Sequence, residues 1–166
     1  MIKITKVLVA TDFSETSEAA LRYGREFART FSARLHVLHV VENTIMWVGP
    51  EAAGFDYGRL QADLEASARE RLSGVVTSED REQLSAVEAI RLGTSPAFDI
   101  ARYAKSEGID MIVMGTHGRG MIGQLLMGSV AEKVVRIAPC PVLTVRSPEH
   151  EFVLPDALQR ASSVKP

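Results

Sequence analysis

The chain of 166 residues is long enough for one domain with a sizeable core, because 46% of its residues are hydrophobic. Its formal net charge of −2 and the scattering of its 19 basic residues argue against a nucleic-acid-binding surface. One cysteine excludes an internal disulfide, and the sequence shows neither a signal-peptide layout nor an apolar run of roughly 20 residues, so we expect a cytoplasmic protein that does not span a membrane.

Short apolar runs alternate with longer amphipathic stretches, a pattern that predicts successive βα units. The first strand is predicted at 7–10 and the first helix at 15–31. The apolar stripe of this helix is predicted to hold Ala20, Tyr23, Phe27 and Phe31. Its solvent-exposed side is predicted to hold Glu15, Glu18, Arg22, Arg25 and Arg29. A nearly continuous apolar run then predicts a second strand, covered on both faces, at 35–41.

An irregular segment is predicted at 43–56, where Gly49, Pro50 and Gly54 interrupt the periodicity. The second helix follows and is predicted to hold Tyr57, Leu60, Leu64 and Leu72. The later elements are predicted as a strand near 86–92, a helix from 96 to 107 stopped by Gly108, a strand at 111–114, a helix at 128–138 and a strand at 142–146. The polar tail from residue 147 is expected to be loosely held.

Five strands separated by helices predict an α/β fold, an open parallel sheet with helices on both faces. Ligands of such sheets bind beyond the carboxyl ends of the strands, at the point where the strand order reverses. Two segments are suited to this place, namely Thr11–Ser14 after the first strand and the glycine-rich segment after the fourth. If these two strands are neighbours, both segments face one crevice.

The glycine-rich segment runs from Met114 to Gly120 and is followed by Gly128 and Ser129. Glycines let main-chain N–H groups turn towards a ligand, and a helix start adds free donors and a partial positive charge. This pattern is typical of a phosphate site. It lacks the G-K-[ST] ending of a P-loop and the compact G-x-G-x-x-G of a dinucleotide fold.

Four pieces together resemble the ATP-binding branch of the universal stress protein family, over about residues 3–146. They are Val-Leu-Val-Ala-Thr-Asp-Phe-Ser at 7–14, His-Val-Val at 39–41, the spaced glycines, and Ala-Pro-Cys-Pro-Val-Leu-Thr-Val at 138–145. The resemblance implies a Rossmann-like, adenine nucleotide alpha-hydrolase-like sheet of order 3-2-1-4-5. It also implies one domain over 1–146 with a tail at 147–166, an adenine nucleotide at the carboxyl edge, and a homodimer formed through the strand at 142–146.

The resemblance also implies a role for each matching position. The adenosine end would be lined by Ala10, Asp12 and Val40, and Thr11 would be a further nucleotide-binding residue. The ribose and first phosphate would lie over Met114 and Gly115. The phosphates would be surrounded by His117, Gly118, Arg119, Gly128, Ser129 and Val130, with a hydroxyl from Ser129 and N–H donors from the helix start.

Four of these positions also have a purely structural alternative. Asp12 could cap the first helix, because Asp12 and Glu15 have capping-box-like spacing. Gly115 and Gly118 could only shape a turn. His117 could face solvent.

His36, His39 and Cys140 are interpreted as structural residues. Both histidines lie on a buried strand without a cysteine or carboxylate at ligand spacing, so hydrogen-bonded core histidines are favoured over a metal site. Apolar neighbours raise the pKa of a thiol, so a buried, inert cysteine is favoured at 140.

No carboxylate lies within the phosphate loop at 114–130, so no catalytic residue is assigned and at most weak ATPase activity is expected. A Mg²⁺ or Mn²⁺ ion would be held mainly by the phosphates. The predicted function is a homodimeric, ATP-binding stress protein whose nucleotide state sets its conformation or its choice of protein partner. Two alternatives stay open, a slow ATPase or nucleotide-dependent transferase, and a nucleotide-free interaction module.

Overall fold

The computed structural model describes residues 2–42, 56–116 and 127–146. The strands are β1 (Lys6–Ala10), β2 (Arg34–Glu42), β3 (Val87–Gly93), β4 (Met111–Gly115) and β5 (Val142–Val145). The helices are α1 (Glu15–Phe31), α2 (Tyr57–Val75), α3 (Ser78–Gln83), α4 (Pro96–Glu107) and α5 (Ser129–Ile137). The predictions for residues 43–55, 117–126 and 147–166 lie outside the described residues. None of the described helices is long and apolar enough to cross a membrane.

All five strands are parallel and lie in the order β3-β2-β1-β4-β5, which confirms the predicted fold. Side chains alternate between two cores, since Val7 and Val9 point to one face and Leu8 to the other. Helices α1 and α2 pack on the first face, and α4 and α5 on the second. The chain leaves β1 towards β2 on one side, while β4 lies on the other, so the strand order reverses between β1 and β4.

Helix α1 approaches the sheet through small side chains, and its predicted apolar stripe is wrong in part. Ala20 and Gly24 are buried, and a Cβ atom at Gly24 would overlap Cγ2 of Val9. Tyr23 and Phe31 are instead 40% and 39% exposed. The close approach leaves no room for large rings on the inner side, so small residues take those positions.

Arg25, predicted to face solvent, instead pairs with a buried carboxylate of α3, a short helix that the periodicity did not reveal. Its guanidinium donates to both carboxylate oxygens of Asp80, at 2.8 and 2.7 Å. Asp80 also closes a capping box with Thr77 at the start of α3. Burial alone would raise the pKa of Asp80, but the hydrogen bonds from Arg25 and Thr77 and the charge of Arg25 hold it below its ordinary value.

His36 lies in the core between β2 and α4, as predicted. Its Nδ1 atom is 2.8 Å from the hydroxyl of Tyr103. Its Nε2 atom is buried and has no hydrogen-bond partner among the described residues. Burial lowers the pKa of the imidazole; the charges of Lys6 and Arg34 also lower it, and the carboxylate of Glu107 opposes them.

The unfolding free energy is expected to fall as the pH drops below about 6.5, the pKa of an unperturbed histidine. Because His36 has a lowered pKa in the fold, the unfolded chain binds its proton first, and the loss is at most about 1.4 kcal/mol per pH unit. Urea unfolding at pH 7.5 and 5.5 measures this slope. The variant His36→Phe should show a shallower slope, and equal slopes in both proteins would contradict the role of His36.

Cys140, predicted to be buried, is only partly buried, beside the core on the side of α4 and α5. Burial, followed by the negative charge of Asp110, raises the pKa of its thiol. The thiol therefore stays protonated at neutral pH, which agrees with a structural role.

Candidate functional site

A cavity of about 670 Å³ opens at the carboxyl edge of the sheet, where the strand order reverses. Its described walls come from the ends of β1, β2 and β4, the first turns of α1, α4 and α5, and one side of α2. Small-molecule sites in proteins usually measure about 300–1,000 Å³, so this cavity has room for a ligand of nucleotide size.

The loop after β1 is held together by Asp12. Its Oδ1 atom accepts hydrogen bonds from the amide and the hydroxyl of Ser14, at 3.1 and 2.6 Å. Ser14 is the N-cap of α1, because its hydroxyl oxygen accepts from the amide of Ser17 at 3.3 Å. The alternative that Asp12 caps α1 is therefore wrong, and Asp12 instead supports the capping residue while it lines the cavity.

Phe13 forms a rigid wall of the cavity. It adopts a left-handed φ of 62°, and its amide donates to the Thr11 hydroxyl at 3.0 Å. Its ring centroid lies 4.4 Å from the ring centroid of His39, and the guanidinium carbon of Arg71 lies 4.2 Å from that of Phe13. A φ value this unfavourable for phenylalanine persists only where the surroundings hold it, so the loop is strongly constrained.

His39 is part of this wall and not of the core, which corrects the prediction. Its Nδ1 atom lies 2.8 Å from the carbonyl oxygen of Thr11. Because a carbonyl oxygen only accepts, Nδ1 carries the proton of this bond. The contact ties the end of β2 to the end of β1 and fixes the orientation of the imidazole beside the cavity.

The first turn of α5 lines the cavity. This helix lies on the face of the sheet opposite to α1 and α2. Gly128 is the N-cap, and as a glycine it has no side chain that could cap the amides of the helix start. Its own amide donates to the carbonyl oxygen of Thr116. The amides of Ser129, Val130 and Ala131 belong to the first helical turn and have no intrahelical acceptor. Together with the positive end of the helix dipole they favour an anion at this point.

Gly115 ends β4 beneath the cavity, where α1 comes very close. A Cβ atom at this position would lie 2.8 Å from Cγ2 of Thr16 and 3.1 Å from its carbonyl carbon. The glycine therefore has a packing role that neither the phosphate prediction nor the turn alternative contained. A loss of binding in Gly115→Ala could therefore result from this steric clash as well as from a lost ligand contact, so this variant does not test the phosphate role.

Comparison with known proteins agrees with this geometry. Residues 3–146 match the model of the universal stress protein family. The chain belongs to this family. It is 36% identical over 141 residues to a universal stress protein of Thermus aquaticus, an alignment that covers 84% of this chain and 97% of the relative.

Two solved structures resemble this universal stress protein along most of its length. Universal stress protein UspA from Lactobacillus plantarum has a TM-score of 0.70 and 28% identity, with 88% of this chain and 100% of the other covered. The universal stress protein from Archaeoglobus fulgidus in complex with dAMP has a TM-score of 0.59 and 26% identity, with 87% of this chain and 99% of the other covered.

The fold brings most of the predicted nucleotide contacts of this universal stress protein to one cavity. Those that line it are Ala10, Thr11, Asp12, Val40, Met114, Gly115, Gly128, Ser129 and Val130. The predicted phosphate contacts His117, Gly118 and Arg119 lie outside the described residues. The binding roles of all these positions stay predictions.

Sequence reasoning missed the contribution of α2 to the cavity wall. Leu64, Ser67, Ala68 and Arg71 of this helix line the cavity. Their spacing of three or four residues places them on one side of a helix. Apolar residues at this spacing, such as Leu60, Leu64 and Leu72, are equally typical of a helix side that packs against the sheet. Only the topology shows that this side faces the cavity.

Proposed function

We propose that this universal stress protein binds an adenine nucleotide, ATP in the first place, in the cavity at the carboxyl edge of its sheet. The observation that carries the proposal is the first turn of α5, which opens into the same cavity as the ends of β1 and β2. The relative from Archaeoglobus fulgidus, whose structure contains dAMP, supports an adenine nucleotide as the ligand.

The two ends of the cavity suit the two ends of a nucleotide. Val40 and Leu38 at the end of β2 and Ile100 on α4 offer apolar contacts for the base. The amides of the α5 first turn and the hydroxyl of Ser129 suit the phosphates. Gly118 and Arg119 are assigned to the phosphates only because of their positions in the glycine-rich segment of the sequence.

A divalent cation would be bound chiefly through the phosphates of the nucleotide. Among the described residues, no group of three His, Cys, Asp or Glu side chains is placed to hold a metal ion. Mg²⁺ commonly keeps several waters and takes one or two protein ligands beside substrate phosphates. The proposed role of the site is regulatory, with the nucleotide state setting the conformation or the choice of a protein partner in the cytoplasm.

Homodimerisation through β5 completes the proposal. In the described sheet, β5 pairs with β4 on one side only and forms an edge. An edge strand presents a row of main-chain donors and acceptors, to which the same strand of a second copy can pair about a two-fold axis.

Isothermal titration calorimetry with ATP tests the proposal, and we expect saturable binding of one ATP per chain. The absence of binding in the folded wild-type protein would reject it in favour of the nucleotide-free interaction module. Phosphate release measured on the same sample separates a binding protein from the slow ATPase, since steady turnover above the blank identifies the enzyme. Mass spectrometry of gently purified protein offers a direct search for a retained nucleotide.

A further inference from the structure

The first half of α2 carries apolar side chains that the fold leaves partly exposed. Its buried residues, Ala68 and Leu72, both lie in the second half of the helix, which packs against β2 and β3. In the first half, Leu60 and Leu64 are 37% and 41% exposed. Two partly exposed leucines one turn apart form a small apolar surface, which a ligand can bury with a gain in free energy.

Leu64 lies on the side of α2 that faces the cavity. It shares this side with Ser67 and Arg71, which follow at helical spacing and also line the cavity. Leu60 precedes Leu64 by one turn on the same side of the helix. The exposed leucines are therefore continuous with the cavity wall.

The contact between Arg71 and Phe13 shows where Leu64 lies relative to the carboxyl edge of the sheet. Arg71 lies against Phe13, which follows the carboxyl end of β1. Since α2 and α3 lie in the crossover between the parallel strands β2 and β3, α2 leads back from the carboxyl edge, and its first half lies towards that edge. At 1.5 Å per residue, Leu64 lies about 10 Å further along this axis than Arg71. That is the region a ligand seated on the strand ends would occupy.

We propose that Leu64, with Leu60 beside it, is a specificity-determining contact that packs against the nucleoside half of the bound nucleotide. This inference rests on the proposed function and adds to it an apolar contact between the base and the side chains of α2. A planar heterocyclic base buries apolar surface against such side chains, whereas phosphates gain nothing from them. The contact therefore favours ligands with a base, whatever their number of phosphates.

Titration of the full chain with adenosine and with ATP tests this contact. Leu64→Ala should weaken both ligands by a similar factor, roughly fivefold, because it removes apolar area that only the nucleoside covers. The control variant Phe98→Ala removes another exposed apolar side chain, 62% exposed on α4 and outside the cavity wall, and should leave both affinities unchanged. Both substitutions are at exposed positions, and circular dichroism verifies that both variants fold.

Hydrogen exchange gives a second, independent measurement. Saturating adenosine should slow the exchange of amides in residues 58–66 of the wild type, and this protection should be weaker in Leu64→Ala. Binding of both ligands with wild-type affinity by Leu64→Ala would overturn the inference while the proposed function stands. A loss confined to ATP would also overturn it, since it would place Leu64 near the phosphates. Failure of the wild type to bind either ligand would reject the proposed function itself.

Discussion

Ser129→Asp is expected to lower the affinity for ATP by roughly a hundredfold, because like charges placed together in a binding site cost several kcal/mol. Ser129 is the first residue of α5 and lines the cavity. A carboxylate there occupies the place proposed for a phosphate. The same carboxylate stabilises the helix start by about 0.3–1 kcal/mol, so the variant should unfold at an equal or slightly higher urea concentration. Calorimetric titration and urea unfolding measure the two effects.

The matched control is Ser129→Asn, which has the shape of the aspartate variant without its charge. It should retain ATP binding to within a few fold of the wild type. Adenosine supplies a further comparison, because a ligand without phosphates should bind all three proteins alike. Equal ATP affinity in the aspartate and asparagine variants would show that no phosphate lies at the start of α5.

The patterns in the sequence were sufficient to predict the strands and a ligand crevice at the carboxyl edge of the sheet, where the cavity lies. The strands were recognisable because a parallel sheet covered on both faces needs continuous apolar runs, as at 35–41. The termini of α4 followed from Pro96 at its start and Gly108 at its end, where the structure shows a left-handed φ of 63°. The strand order followed from the resemblance to a family, since local patterns contain no information on which strands pair.

The remaining errors concern side chains whose role depends on distant parts of the chain. Arg25 looked like a solvent-facing residue because Asp80, its partner, lies on a short polar helix without an apolar stripe. His39 looked like a core residue because its strand is buried along most of its length. The cavity opens only where β2 reaches the carboxyl edge. Such roles are set by topology, which hydrophobic periodicity does not report.

Asp80→Asn is expected to destabilise the fold by about 3 kcal/mol at pH 7, because breaking a buried ion pair leaves the other charge without compensation. The side chain of Asp80 is 1% exposed and that of Arg25 is 21% exposed, so water reaches only the guanidinium and relieves little of the cost. Urea unfolding at constant pH measures the difference. The control Glu79→Gln removes a neighbouring exposed carboxylate that lies 3.3 Å from Arg29, and its cost should stay below about 1 kcal/mol.

The pH dependence of this difference shows whether the charge of Asp80 is responsible. In the fold the pKa of Asp80 lies below its ordinary value, so its ionised form stabilises the native state at every pH above the unfolded pKa of about 3.9. That contribution is lost as the pH falls through the lower folded pKa, because the carboxyl then binds a proton in both states. The gap between the wild type and Asp80→Asn should therefore narrow below pH 4. If the difference in unfolding free energy stays constant down to pH 2, the destabilisation comes from packing and hydrogen-bond geometry, and the ion pair contributes nothing to it.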